Sequence, residues 1–157
     1  MALSACGGNA ASPAPNAPAA NAQWPVWDLR DGDYRGHFDD REHNVSVQLT
    51  IRNEEIVDVS LRWAYYRGVD YRRARAANED PYAGIYDQHV EVLEFLIGAR
   101  GVEQIVERTV YMEGLPSGPA LEAITTQEVD GFTAATIRSG KIGSAVRDAF
   151  NRGRYRE

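Results

Sequence analysis

Cysteine is almost missing from this sequence. Cys6 is the only one, so no disulfide can form within the chain. No apolar run approaches the ~20 residues that a membrane-spanning helix needs. Positive charge is in deficit: 17 Lys and Arg face 23 Asp and Glu, for a net charge of -6. That balance argues against general binding to nucleic acid, which calls for a basic surface. Histidine is scarce. His37 and His43 have no second ligand at metal-binding spacing, and no zinc, haem or iron–sulfur pattern is present. Internal repeats are absent too.

What is there suits one domain with a modest core. The chain has 157 residues, 43% of them hydrophobic and 25% charged, which is ordinary for a globular protein. Residues 1–23 stand apart from the rest. The string "LSACGG", Leu3 to Gly8, is similar to a bacterial lipoprotein box, whose cysteine is acylated after signal-peptide cleavage. Lipidation at Cys6 would tether the domain to a membrane surface. The following "GGNAASPAPNAPAANAQ" is small, polar and Pro-rich and reads as a flexible spacer. Met1 and Ala2 alone are too short for the charged and apolar parts of an export signal, so this expectation requires a fuller leader. The domain itself is expected over residues 24–157.

Asp31-Gly32 in "DGDYRGHF" is a turn signal leading into a short strand. Val45, Val47, Leu49 and Ile51 then alternate with polar residues, which predicts a strand with one buried face. "NEE", Asn53 to Glu55, breaks the run. Val57, Val59, Leu61 and Trp63 resume it on one predicted face, so the pair reads as an antiparallel hairpin. "YYRGVDYRRARAA", Tyr65 to Ala77, reads as a solvated loop, or as an anion or partner surface. Asp39-Asp40 and Asn78-Glu79-Asp80 read as solvated turns. Asp80 is a candidate N-cap with Pro81 at the first helical position. Ile85, His89, Val92, Leu93 and Leu96 follow helical spacing, and Gly98 and Gly101 would end that helix. On such a stripe His89 is expected to be a satisfied core histidine rather than a ligand. "VEQIVERTVYM" is read as helix followed by a short strand. "GLPSGP" is loop, and Leu121 to Val129 is a candidate strand. Ser139 can cap a helix that carries Ile142, Ala145, Val146, Ala149 and Phe150 on one face and stops at Gly153. This order predicts an α+β domain, with helices packed on an antiparallel sheet.

The segment "VDGFTAATIRSGKIGSAVRDAFNRG" resembles the C-terminal motif of the FMN-binding domain. That family includes the C subunit of sodium-pumping NADH:quinone reductase, the G subunit of the Rnf complex and small exported flavoproteins. Its pattern is Asp, two variable residues, Ser or Thr, usually Gly, Ala, then Thr or Ser. Asp130, Thr133, Ala134, Ala135 and Thr136 occupy those positions, with Ala134 where Gly is usual. "DGDYRGHF", the hairpin and "GVDY" at Gly68 to Tyr71 extend the resemblance upstream.

The resemblance implies an extracytoplasmic electron carrier with FMN joined to Thr136 through a phosphoester. In the family a FAD-dependent FMN transferase makes that bond. Thr is a poor nucleophile unaided, and no His or Cys lies beside Thr136. The chain would thus be the substrate of modification, a redox carrier rather than a stand-alone enzyme. Its partners would be the transferase, donor and acceptor redox proteins, and the membrane through the lipid on Cys6. A phosphate attached just ahead of a helix suits the unpaired N–H groups and positive dipole end. Ser139 and Lys141, in the first turn, are candidate contacts for it. Two alternatives remain open at this level: non-covalent FMN binding, prompted by Ala134, and a flavin-free lipoprotein adaptor that uses the Tyr/Arg stretch.

Overall fold

The computed structural model describes residues 25–114 and 139–156. Sheet and helices follow from the two periodicities above. β1 (Gly32–Asp39), β2 (His43–Arg52) and β3 (Glu55–Tyr66) form an antiparallel meander. β4 (Val69–Asp70) and β5 (Arg154–Arg156) flank it, in the order β4-β3-β2-β1-β5. The helices are α1 (Tyr71–Ala76), α2 (Tyr82–Glu94), α3 (Gly101–Glu113) and α4 (Ser139–Arg152). The described residues thus form one α+β domain with an antiparallel sheet, as the sequence predicts.

The core lies between the helices and one face of the sheet. Val45, Val47, Leu49 and Ile51 of β2 meet Val92, Leu93 and Leu96, Ile105 and Met112, and Ile142 and Val146. All five apolar residues predicted for α4 are buried. Their i, i+3, i+4, i+7, i+8 spacing makes one continuous stripe. β1 receives that stripe because Gly36 has no side chain. A Cβ there would collide with the backbone of Ala145 and Ala149. Gly153, with φ 81°, ends α4 as expected.

Asn53 and Glu54 form the two-residue hairpin turn with φ of 50° and 62°, the left-handed pair that such turns require. Beyond it the predicted face of β3 is only half right. Register shifts fall at Thr50/Ile51 and Ser46/Val47, so Val57 and Arg62 are extra residues on β3. Each shift reverses the phase of a period-2 pattern. Val59 and Leu61 face inward, but Ile56 and Ala64 replace Val57 and Trp63 in the core.

Other boundaries also move. Tyr65 to Ala77 is not a loop: β3 continues to Tyr66, a turn follows at Arg67-Gly68, and α1 starts at Tyr71. Asp70 caps α1 by accepting a bond of 3.0 Å from the Arg73 N–H. Asp80 does not cap α2. Pro81 holds the N-cap position, and its carbonyl accepts from the Ile85 N–H. α2 stops at Glu94, and Leu96 is buried in the turn beyond it. Gly98, with φ 84°, closes that turn, while Gly101 opens α3 rather than closing α2. α3 continues through "RTVYM" with no strand. Its β-branched Thr109 bonds back to the Ile105 carbonyl at 2.7 Å, and Met112 is fully buried, so packing overrides local strand preference. The candidate strand Leu121 to Val129 lies outside the described residues.

Candidate functional site

α4 begins where two sheet turns meet. Lys141, in its first turn, reaches the β1–β2 turn and places its Nζ 2.9 Å from Asp40 Oδ2. The same ammonium sits 4.4 Å from the centre of the Phe38 ring, within cation–π range. Asp40 is exposed, as expected of a solvated turn, and also organised. Its Oδ1 accepts from the N–H groups of Glu42 and His43 at 2.8 and 2.7 Å. The Lys141 ammonium above all, helped by those N–H groups, holds the Asp40 carboxyl well below the usual carboxylate range.

The β3–β4 turn docks beside it. Arg67 donates its backbone N–H to the Glu42 carbonyl at 2.8 Å and pairs with the Glu42 carboxylate at 2.9 Å. His43 stacks on Tyr66 with centroids 4.6 Å apart. His43 Nδ1 lies 3.2 Å from Asp40 Oδ1. Its Nε2 is buried with no hydrogen-bond partner among the described residues. A hydrogen bond with Asp70 pushes the Tyr65 phenol up from its ordinary value. Between these parts lies a cleft of about 350 Å³, lined in part by Asp40, Glu42, His43, Tyr65 and Gly68.

The residues singled out in the sequence divide sharply. Cys6, Asp130, Thr133, Ala134, Ala135 and Thr136 lie outside the described residues. Ser139 and Lys141 are in the first turn of α4, but only Lys141 is accessible; Ser139 is 4% exposed. The "RGVDY" turn is joined to that end of the molecule through Glu42, Asp40 and Lys141. Sequence reading missed Phe38, Asp40 and His43 as site residues, while Tyr65 and Tyr66 belong to the stretch it read as a loop or an anion or partner surface. The signal for Asp40 was faint: an Asp followed by two residues whose N–H groups it can accept.

The arginines of the Tyr/Arg stretch are exposed, and three of them have partners within the domain. Arg67 pairs with Glu42 and Arg75 with Asp87, and Arg72 donates to the Arg62 carbonyl. His89 is the core histidine expected: 4% exposed, its Nδ1–H donating to the Ile85 carbonyl at 2.7 Å. Burial pushes its pKa down from the ordinary value. No group of three His, Cys, Asp or Glu among the described residues is placed to hold a metal. No described helix is long and apolar enough to cross a membrane.

An anionic phosphoester fits the described part of this site. Among the described residues a Cβ on Gly140 would meet nothing within 4 Å. Lys141 supplies a cation there, offset by Asp40. No protein-family model, no curated protein and no solved structure matches this chain.

Proposed function

We propose that this protein is an extracytoplasmic electron carrier bearing FMN on Thr136. One observation carries the reading: "DGFTAAT" stands immediately before a helix whose buried face matches its sequence pattern residue for residue. The bound flavin would supply one- and two-electron transfer. The chain's own residues do the holding. The first turn of α4, at Gly140 and Lys141, would offer its N–H groups to the phosphate. The Lys141 ammonium adds charge while Asp40 fixes its position. The stacked rings of His43 and Tyr66 lie beside the β1–β2 turn that Lys141 reaches. A FAD-dependent transferase would attach the flavin, and the lipid on Cys6 would keep the domain at the membrane surface, facing donor and acceptor proteins.

The test is covalent flavin content. The chain is expressed behind a full export signal, together with an FMN transferase. After denaturation, the protein band should fluoresce and the intact mass should rise by one FMN. Thr136→Ala should abolish both. A dark band, in cells where the transferase modifies a known substrate, would refute covalent attachment.

A further inference from the structure

The sheet face opposite the core holds a second concavity, at the other end of α4. It encloses about 420 Å³ and is lined by Arg35, His37, Trp63, Arg152, Arg154 and Tyr155, among others. Ser46 also lines it. A volume of this size suits a small molecule.

The slot is a product of register. On β1, Arg35 and His37 point away from Tyr34, Gly36 and Phe38, which face α4. Ser46 is opposite His37 on one side and opposite Trp63 on the other. A hydroxymethyl group between two rings leaves a trough. The rings of His37 and Trp63 are 6.0 Å apart at 72°, and Ser46 beneath them is only 2% exposed. Trp63 is on this face because the bulge at Arg62 reversed the strand's phase. Its ring is held by a bond of 2.6 Å from Nε1 to the Asn44 carboxamide oxygen.

The other wall comes from the end of the chain. Gly153 turns α4 into β5, which brings Tyr155 under the Arg35 guanidinium at 4.2 Å. Arg35 Nη2 donates to Gln48 Oε1 at 2.9 Å. None of the partners of Arg35 among the described residues is a carboxylate, and its Nε is buried without a hydrogen-bond partner there. That N–H is closed to solvent, so an anion in the groove would add charge-assisted bonds at the terminal nitrogens of the guanidinium. Arg152, by contrast, is paired with Asp148 at 2.7 Å. Trp63 and Tyr155 are 38% and 50% exposed; guanidinium groups of Arg35 and Arg156 lie over the Tyr155 ring at 4.2 and 5.4 Å, so Trp63 is the more open ring beside a cation that lacks a carboxylate.

We propose that this groove binds a flat aromatic ring carrying a carboxylate, the ring packed against Trp63 and the carboxylate on Arg35, which rests on Tyr155. The site stands on its own residues and does not depend on the flavin.

The test uses the full chain made without a transferase, so that no covalent flavin is present. 2-Naphthoate is titrated while the Trp63 indole N–H is followed by NMR. Two controls separate the contributions: 2-naphthalenemethanol has the ring without the charge, and cyclohexanecarboxylate has the charge without a flat ring. Binding of 2-naphthoate should saturate and be about tenfold tighter than either control, the gain of one charge-assisted bond or one stacked ring. Arg35→Gln should remove that advantage over 2-naphthalenemethanol, and Trp63→Ala should weaken both naphthyl ligands. Far-UV circular dichroism confirms that the variants fold. Should Arg35→Gln misfold, the comparison of the three ligands on the unaltered chain decides alone. No saturable shift at Trp63, or affinities for 2-naphthoate and 2-naphthalenemethanol within about threefold, would overturn the proposal.

Discussion

Along β2, Val45, Val47, Leu49 and Ile51 face the helices and are at most 3% exposed. Their neighbours on the same strand, Asn44, Gln48 and Thr50, face away and spend their side chains on hydrogen bonds. Asn44 holds Trp63, Gln48 accepts from Arg35 and donates to Asp33, and Thr50 also donates to Asp33. One face therefore supplies stability through burial, which is non-directional and scales with area. The other supplies orientation, since hydrogen bonds add little net energy but fix where groups point. The difference shows why substitutions a single residue apart should have unlike consequences.

Leu49→Ala should do the most damage. It removes a fully buried side chain from the centre of the inner face and should cost about 3 kcal/mol, read as a fall in the urea midpoint. Binding in the outer groove, measured on the folded fraction, should be unchanged. Gly36→Ala comes next. Its methyl group would force α4 off β1, at about 2 kcal/mol by overpacking. A neutral result would show that α4 does not sit this close. Asp33→Ala, on the outer face, should lower stability by about 1 kcal/mol at most. Its signature would instead be weaker 2-naphthoate binding, because Gln48 loses a partner and Arg35 its support.

The smallest effect separates the faces by pH. Burial lowers the pKa of His89, so the unfolded chain takes up that proton near the ordinary value of about 6.5 while the folded chain resists it. Stability from this source is complete above about pH 6.5 and is lost as pH falls through the window below it. Asp40 behaves similarly at lower pH. Its depressed carboxyl pKa gives a contribution present above about pH 4 and lost on further acidification. Urea midpoints at pH 7.5 and 5.5 should differ less in His89→Gln than in the unaltered chain. An equal difference in both would remove His89 as the cause.

Much of this architecture is legible in the residues, and the failures have physical reasons. β2 and α4 declare themselves because one face of each is buried without interruption, so the period survives. β3 misleads because two bulges reverse its phase. The adjacent apolar pairs Ile56-Val57 and Trp63-Ala64 are the only local trace of that reversal. α1 has six residues, too few to display a period, and its cap at Asp70 lies within a run that reads as loop. At the candidate site, Lys141 is legible as a helix-start cation, but its partner is not. Asp40 lies 101 residues away, and nothing in a single sequence links the two. The outer groove is hidden for both reasons: it needs the bulge at Arg62 and the return of Tyr155 to β1.

That return has a consequence for how the chain is made. β1 is among the first parts of the domain to be synthesised, yet α4 and β5, which cover it and pair with its edge, come among the last. Trp27 bonds to Asn151 across 124 residues. Until Arg156 has left the ribosome, β1 lacks its edge partner β5, and the part of the sheet that α4 covers waits for that helix. Folding so dependent on distant contacts is slow to begin, which lengthens the time during which a chaperone or a translocation channel can engage the chain unfolded.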